Sequence, residues 1–285
     1  MKATNYIDIH GHVNFSAYDV DREEVIKRAQ DAGVAMITVG TQIDTSKSAV
    51  ELARSHEYMY AVVGLHPIHT TASHHDVQEL GEGGKEFTSR GEMVNIDAYR
   101  ELARDPKTVA IGECGLDYYR LDDDSVAKQR KTFEAMIDLA NEVGKPLMLH
   151  IRNGSGKSAY NDAREILKER AEVKGNLHFY AGSIEEARPF LDMGFTFSFT
   201  GVVTFARSYD EIVKFLPADR IMTETDCPYV TPTPNRGKRN EPAYVIEVAK
   251  ALARIRGESE AAFADQVIAN AVHFFNIQMA GPADR

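Results

Sequence analysis

Apolar runs and stretches of helical periodicity alternate almost without a break along this chain of 285 residues. The first run, Tyr6 to Val13, sets Ile7 and Ile9 between Asp8, His10 and His12. That is the two-residue period of a strand, and it predicts that the three polar groups share one face. Asp21 to Ala32 has helical periodicity and stops at Gly33. Val34 to Thr41 is a second apolar run, Thr45 to Ser55 a helix, and Tyr58 to Pro67 a third strand. The segment from His69 to about Asp97 is irregular, and Gly81 to Glu92 reads as an inserted loop before a helix that ends near Arg104. Val109 to Gly115 is strand four, followed by an amphipathic helix from Ser125 to Val143. Pro146 to Arg152 is strand five, followed by a helix from about Ser158 to Ala171. Asn176 to Ala181 and Phe195 to Thr200 are strands six and seven, with helices Ser183 to Met193 and Tyr209 to Leu216 after them. Ile221 to Asp226 is strand eight, and helices at about Pro242 to Ile255 and Ser259 to Phe275 finish the chain.

Eight near-continuous apolar strands, each followed by helix, predict a closed parallel (β/α)8 or TIM barrel with an extra C-terminal helix. The competing architecture is an open doubly wound sheet. No Ser/Gly linker, charge block or repeat interrupts the pattern, so residues 1–285 read as a single domain.

The ends of the predicted strands change the picture. His10 and His12 lie on strand one, His66 ends strand three, Glu113 ends strand four, His150 strand five, His178 strand six and Asp226 strand eight. In such a barrel the chemistry sits at those ends. Acid and imidazole on apolar strands are costly to bury without a partner, and divalent metal is a ready one. Four imidazoles and two carboxylates suit two divalent ions bridged by a carboxylate, for which Glu113 is placed mid-way round the barrel. Asp226 can bind one ion and accept the proton of a nucleophilic water. His66 suits metal or a substrate contact equally. Asp8 precedes His10 and Glu224 precedes Asp226 by two residues, and both are expected to orient ligand imidazoles or to form a buried polar network. Arg152 follows His150 by two and is expected at a substrate anion. Arg236, Lys238 and Arg239 lie in the loop after strand eight, a common phosphate-binding position. His56, His69, His74, His75 and His273 fall in helices or loops and read as solvated or structurally bonded.

Composition adds bounds. With 33 basic and 43 acidic residues the net charge is −10, which disfavours a nonspecific nucleic-acid coat but leaves room for a local basic site. The two cysteines, Cys114 and Cys227, show no disulfide spacing; each directly follows a candidate ligand, and alternation turns it into the helix layer as packing. Met1 runs directly toward the first strand without a signal peptide, and no apolar run approaches the roughly 18 residues of a membrane span. A cytoplasmic location, with no membrane or obligate protein partner, is the expectation.

The motifs resemble the TatD family of metal-dependent deoxyribonucleases, a branch of the amidohydrolase-like barrels. IDIHGHV resembles its opening His-x-His, VVGLHP its third-strand motif and AIGECGLDYY its strongest signature. PLMLHIR, NLHFYAGS, TETDCPYV and RGKRNEP follow in family order, so the likeness spans about Tyr6 to Phe275. The resemblance implies metal ligands at His10, His12, Glu113, His150, His178 and Asp226, with His66 a further active-site residue. Glu113 would bridge, and Asp226 would also be the catalytic base. It implies two divalent ions (Mg2+, Mn2+ or Zn2+) and DNA as substrate, hydrolysed from the 3′ end. The chain departs from the family pattern at Ile68 after Pro67, at HFYAG, and in the length of Gly81 to Glu92, which follows strand three on the active-site side and is placed to narrow the substrate. Two other readings accompany this one: hydrolysis of a small amide, lactone or phosphoester, and a barrel that binds metal or nucleic acid without catalysis.

Overall fold

The computed structural model describes residues 4–72, 74–75, 87–88, 91–119, 125–154 and 156–279. Its strands are β1 (Tyr6–Gly11), β2 (Val34–Val39), β3 (Met59–Val63), β4 (Thr108–Asp117), β5 (Leu147–Arg152), β6 (Gly175–Leu177), β7 (Thr196–Phe199) and β8 (Ile221–Thr223). They form one sheet in that order, and every registered pair is parallel. An open sheet would leave β1 and β8 apart. Here the Asp226 N–H donates to the His10 carbonyl at 2.8 Å and the His12 N–H to the Cys227 carbonyl at 2.7 Å, while Thr223 Oγ1 donates to the Ile7 carbonyl at 2.9 Å. These bonds draw the first and last strands into a nearly closed (β/α)8 barrel.

The helices are α1 (Arg22–Asp31), α2 (Ile43–Arg54), α3 (Ile96–Ala103), α4 (Ser125–Val143), α5 (Ala159–Arg170), α6 (Ile184–Asp192), α7 (Asp210–Phe215), α8 (Val245–Arg256) and α9 (Glu260–Phe275). Local chemistry sets several of their ends. Ser183 caps α6 with a reciprocal bond from Glu186, and Gly257 ends α8 in the left-handed region at φ 71°. α9 is the predicted extra helix. Asn270 on it donates to the carbonyls of Ala218 and Ile221, at the start of β8, so it packs at the end of the barrel away from the site.

Two apolar clusters divide the core. Met36, Leu149, Leu177 and Phe197 face the helices, whereas Ile7, Ile9, Ile37, Val62 and Met148 face inward with Phe275. Both cysteines are fully buried, and both join the helix-side cluster, as expected. The segment between β3 and α3 contains a 3-10 turn (Pro67–Thr70) and a short antiparallel pair, His74–His75 with Phe87–Thr88. Residues 81–86 and 89–90 of the predicted insertion lie outside the described residues, as do the side chains of His74 and His75. Among the described residues no helix is long and apolar enough to cross a membrane.

A candidate metal centre at the strand ends

Two bulges aim the site. Between β1 and β2 the register runs Asp8 to Met36 and then Gly11 to Thr38, three residues against two. The extra residue breaks the alternation. Asp8 therefore faces the helix layer with Met36, while His10 and His12 turn inward. A Cβ on Gly11, which now faces outward, would stand 2.8 Å from Cys227 Sγ and 3.2 Å from Asp8 Oδ2. The same irregularity falls between Ile111 and Cys114 where β4 pairs β5. It leaves Ile111 and Cys114 in the helix-side cluster, with Glu113 between them projecting inward toward the histidines. At β6 and β8 the strands end sooner than the apolar runs suggest. Phe179 at φ 45° and Asp226 at φ 54° take left-handed backbone, which ends the extended chain beside His178 and at Asp226 itself.

The six candidate ligands converge, with His66 among them. Glu113 Oε2 lies 3.3 Å from His10 Nε2 and 3.8 Å from His12 Nε2, and Asp226 Oδ1 lies 3.3 Å from His12 Nε2 and 3.9 Å from His10 Nε2. Glu113 Oε1 faces the other way, 2.9 Å from His150 Nδ1, 3.2 Å from His66 Nε2 and 3.4 Å from His178 Nε2. Three groups bring ligand atoms close enough to hold an ion: His10, His12 and Glu113; His66, Glu113 and His150; and His10, His178 and Asp226. The fit to metal has a direct sign. His10 is fully buried, yet among the described residues neither ring nitrogen has a hydrogen-bond partner. Buried imidazole is rarely left so, and a metal ion at Nε2 would satisfy it.

Ring tautomers separate the histidines into two roles. His12 Nδ1 donates to the Val39 carbonyl at 3.0 Å, leaving the Nε2 lone pair for an ion. His66 is the reverse: its Nδ1 accepts from the Ile68 N–H at 3.2 Å, so the neutral ring carries its proton on Nε2, facing Glu113. Burial, with His150 adjacent, lowers its pKa to about 4 and keeps it neutral. His66 is thus built as a donor.

The remaining electrostatics follow from many groups sharing a small space. Burial alone would raise the Glu113 pKa, but His66, His10 and His178 hold it well below the usual range. Burial opposes the charged ring of His178 too, yet Glu224 and Glu113 outweigh it and raise its pKa to about 10. His150 rises to about 9, where Asp117 and Glu113 overcome the burial cost. Burial likewise works against the Asp226 carboxylate, and the bond from His12 lowers its pKa nonetheless.

The surrounding residues correct some expectations. Glu224 lies against the His178 ring. Its Oε1 lies 3.1 Å from His178 Nδ1 and accepts the Phe179 N–H at 2.6 Å, while Oε2 accepts from Ser198 Oγ at 2.7 Å. Behind it a buried chain runs from Ser198 to Asn176 and Thr196. Asp8 touches no imidazole. Its carboxyl accepts from the Thr225 N–H and hydroxyl, at 2.9 and 2.6 Å, and from the His10 backbone N–H. Burial raises its pKa to about 8 against those bonds. Asp8 fastens the β1–β8 seam; the bulge after it is what alternation alone could not show.

Arg239 is the second correction. It makes a two-pronged bond to Asp21, at 2.9 and 2.6 Å, and lies over the Tyr18 ring, so it braces the loop instead of facing the site. Arg236 and Lys238 are exposed, and Arg152 is half-buried beside Tyr119. His69 is buried next to His66, their ring centroids 5.9 Å apart, and is not solvated. His56 bonds the Leu52 carbonyl and faces Glu23. One functional candidate escaped the sequence reading. Asp117 is buried at the end of β4, its Oδ2 2.8 Å from His150 Nε2. The signal was its place four residues beyond Glu113, on a strand that runs two residues farther than its apolar run suggests.

Comparison with known proteins now adds what geometry alone does not. Residues 7–276 match the family described as TatD related DNase. The chain belongs to the TatD family. It is 38% identical, over 95% of its length and 98% of the relative's, to an uncharacterized metal-dependent hydrolase, YabD, of Bacillus subtilis. It is 32% identical to a 3′-5′ ssDNA/RNA exonuclease TatD of Erwinia tasmaniensis, covering 95% of this chain and 99% of that one. The crystal structure of the TatD homologue YJJV from Escherichia coli superposes with a TM-score of 0.80 at 24% identity, over 96% of this chain and 99% of the other. The last of these speaks to the fold; the family match and the first two relatives make this chain a metal-dependent hydrolase of the TatD family.

Proposed function

We propose that this TatD-family hydrolase is a deoxyribonuclease that removes nucleotides from the 3′ end of single-stranded DNA. One observation carries the reading: the Glu113 carboxylate stands between two groups of imidazoles, one oxygen toward each. Divalent metal would fit there, and Glu113, His10, His12, Asp226, His150 and His178 would hold it. When bound, such ions polarise a phosphoryl oxygen and lower the pKa of a water. The chain's own residues do the rest. Asp226, its pKa lowered, stays ionised and accepts the proton of the attacking water as the phosphorus–oxygen ester bond breaks. His66, neutral and protonated at Nε2, donates to a phosphate oxygen. Asp117 and Glu224 hold the rings of His150 and His178. Arg152, Arg236 and Lys238 offer cations to the backbone in a chain of net charge −10. Kinship with relatives named as 3′-5′ ssDNA/RNA exonucleases, at 32% and 33% identity over 95% of this chain, supports the choice of substrate.

The test is an end-labelled single-stranded oligonucleotide incubated with metal-stripped protein and Mg2+, Mn2+ or Zn2+ in turn. Shortening from the 3′ end, lost in Glu113→Ala and Asp226→Ala, is expected. An oligonucleotide left intact by the wild-type protein with all three metals refutes the proposal.

A further inference from the structure

Among the described residues two large aromatic side chains are exposed: Tyr119 at 45% and Phe205 at 41%. Each carries an arginine over its ring. The Arg152 guanidinium lies 3.8 Å from the Tyr119 centroid, and that of Arg236 lies 4.0 Å from the Phe205 centroid. Both pairs stand at the ends of barrel strands or in the loops that follow them, on the side where the candidate ligands lie. Tyr119 follows β4, its N–H donating to Asp117 Oδ1 at 2.9 Å, and Arg152 is the last residue of β5, two beyond His150. Phe205 ends the 3-10 turn Gly201–Thr204 after β7, and Arg236 lies in the loop after β8. Those two loops are joined where the Thr233 N–H donates to Thr204 Oγ1 at 2.9 Å. At Gly201 a Cβ would stand 2.3 Å from the Val230 carbonyl, so only glycine permits the approach. One pair therefore stands on the β4–β5 side of His178 and the other on the β7–β8 side.

We infer that the Tyr119–Arg152 and Phe205–Arg236 pairs are stacking platforms for unpaired nucleobases, one on each flank of the metal centre. The inference rests on the phosphodiesterase reading and extends it from the reacting phosphate to the bases beside it. A partly exposed aromatic ring offers an edge and surface on which a flat partner can stack, and every base has a flat face. Duplex DNA has its bases stacked on one another, so platforms of this kind select single strands and are indifferent to sequence. The guanidinium over each ring adds a positive charge where the phosphates flanking a stacked base must pass.

The experiment compares Tyr119→Ala, Phe205→Ala and the double variant with wild type on two single-stranded oligonucleotides, one ordinary and one with abasic sites at its 3′ end. Melting temperature and metal binding establish that the variants are folded. Each substitution is expected to raise KM for the ordinary strand roughly 5- to 100-fold, with kcat within about twofold. KM for the abasic strand should stay unchanged, and Tyr119→Phe and Phe205→Tyr should restore wild-type KM. Equal effects on both strands, or none on either, overturn the platforms while leaving the phosphodiesterase intact, because wild type still cleaves. A wild-type protein inert on both strands with every divalent metal overturns the phosphodiesterase reading and the platforms with it.

Discussion

Replacing Glu224 by Gln tests whether the buried carboxylate behind His178 works as a positioning group. Its three contacts divide unevenly between its oxygens. Oε1 serves both the Phe179 N–H and His178 Nδ1, whereas Oε2 receives only the Ser198 hydroxyl. A glutamine that keeps its carbonyl at Oε1 preserves the first two in geometry but removes the charge that makes His178 a better base. Its amide nitrogen then meets Ser198 Oγ, which already accepts from Asn176 Nδ2 at 2.7 Å, and the Ser198 proton loses its acceptor. One buried donor left unsatisfied costs about 1–3 kcal/mol of stability. Losing an outer partner of a ligand imidazole typically weakens metal binding 10- to 100-fold, or about 1.4–2.8 kcal/mol. Calorimetric titration of the metal-stripped protein with Zn2+ or Mn2+ measures the second quantity, and urea unfolding in EDTA the first. A Glu224→Gln protein that binds metal within about threefold of wild type would falsify the reasoning, whatever its stability.

Further consequences can be checked alongside. Metal ligation needs neutral imidazole, and the pKa values of His150 and His178 are raised to about 9 and about 10, so at pH 7 both carry protons that an ion must displace. Apparent metal affinity should rise with pH up to about 9 and level off above 10, and calorimetry in buffers of different ionisation heat should count about two protons released at pH 7. Asp8 supplies the opposite slope in stability. Its native pKa of about 8 lies above the unfolded 3.8, so the native state holds a proton the unfolded chain has lost, and stability falls as pH rises through that window. In EDTA, Asp8→Asn should remove a fall of up to about 1.4 kcal/mol per pH unit; wild type and variant with parallel stability curves between pH 5 and 8 would contradict this. Arg239→Ala should lower the melting temperature by roughly 2–4 °C through the lost Asp21 pair, with kcat/KM on DNA unchanged. A selective loss of DNA cleavage would return Arg239 to the phosphate path.

The barrel and the convergence of its candidate ligands were legible because both are written in positions along the chain. Apolar runs mark strands, and His10, Glu113, His150 and Asp226 each sit where a run gives way to polar residues. Asp8 was misread because a bulge obeys no periodicity: one extra residue before Gly11 sends the acid outward and the imidazoles inward. Asp117 was missed for a related reason, since β4 continues two residues past its apolar run under the pairing of Leu116 with Ile151 and Asp117 with Arg152. Arg239 shows a third limit. A basic loop beside a metal site reads as phosphate-binding until its partner is seen, and Asp21 lies 218 residues away in sequence. Tautomers belong in the same class: only the contacts of His12 with Val39 and of His66 with Ile68 tell a ligand from a donor.

The seam between β1 and β8 also sets the order of events during synthesis. His10 and His12 precede in sequence the groups that close around them, so those groups leave the ribosome later. Asp226 bonds the His10 carbonyl through its own backbone, and Cys227 receives the His12 N–H. Until that last strand emerges and docks, the two histidines belong to an unclosed edge, and a metal ion reaching them lacks Asp226. The full set of candidate ligands therefore comes together only when the barrel closes.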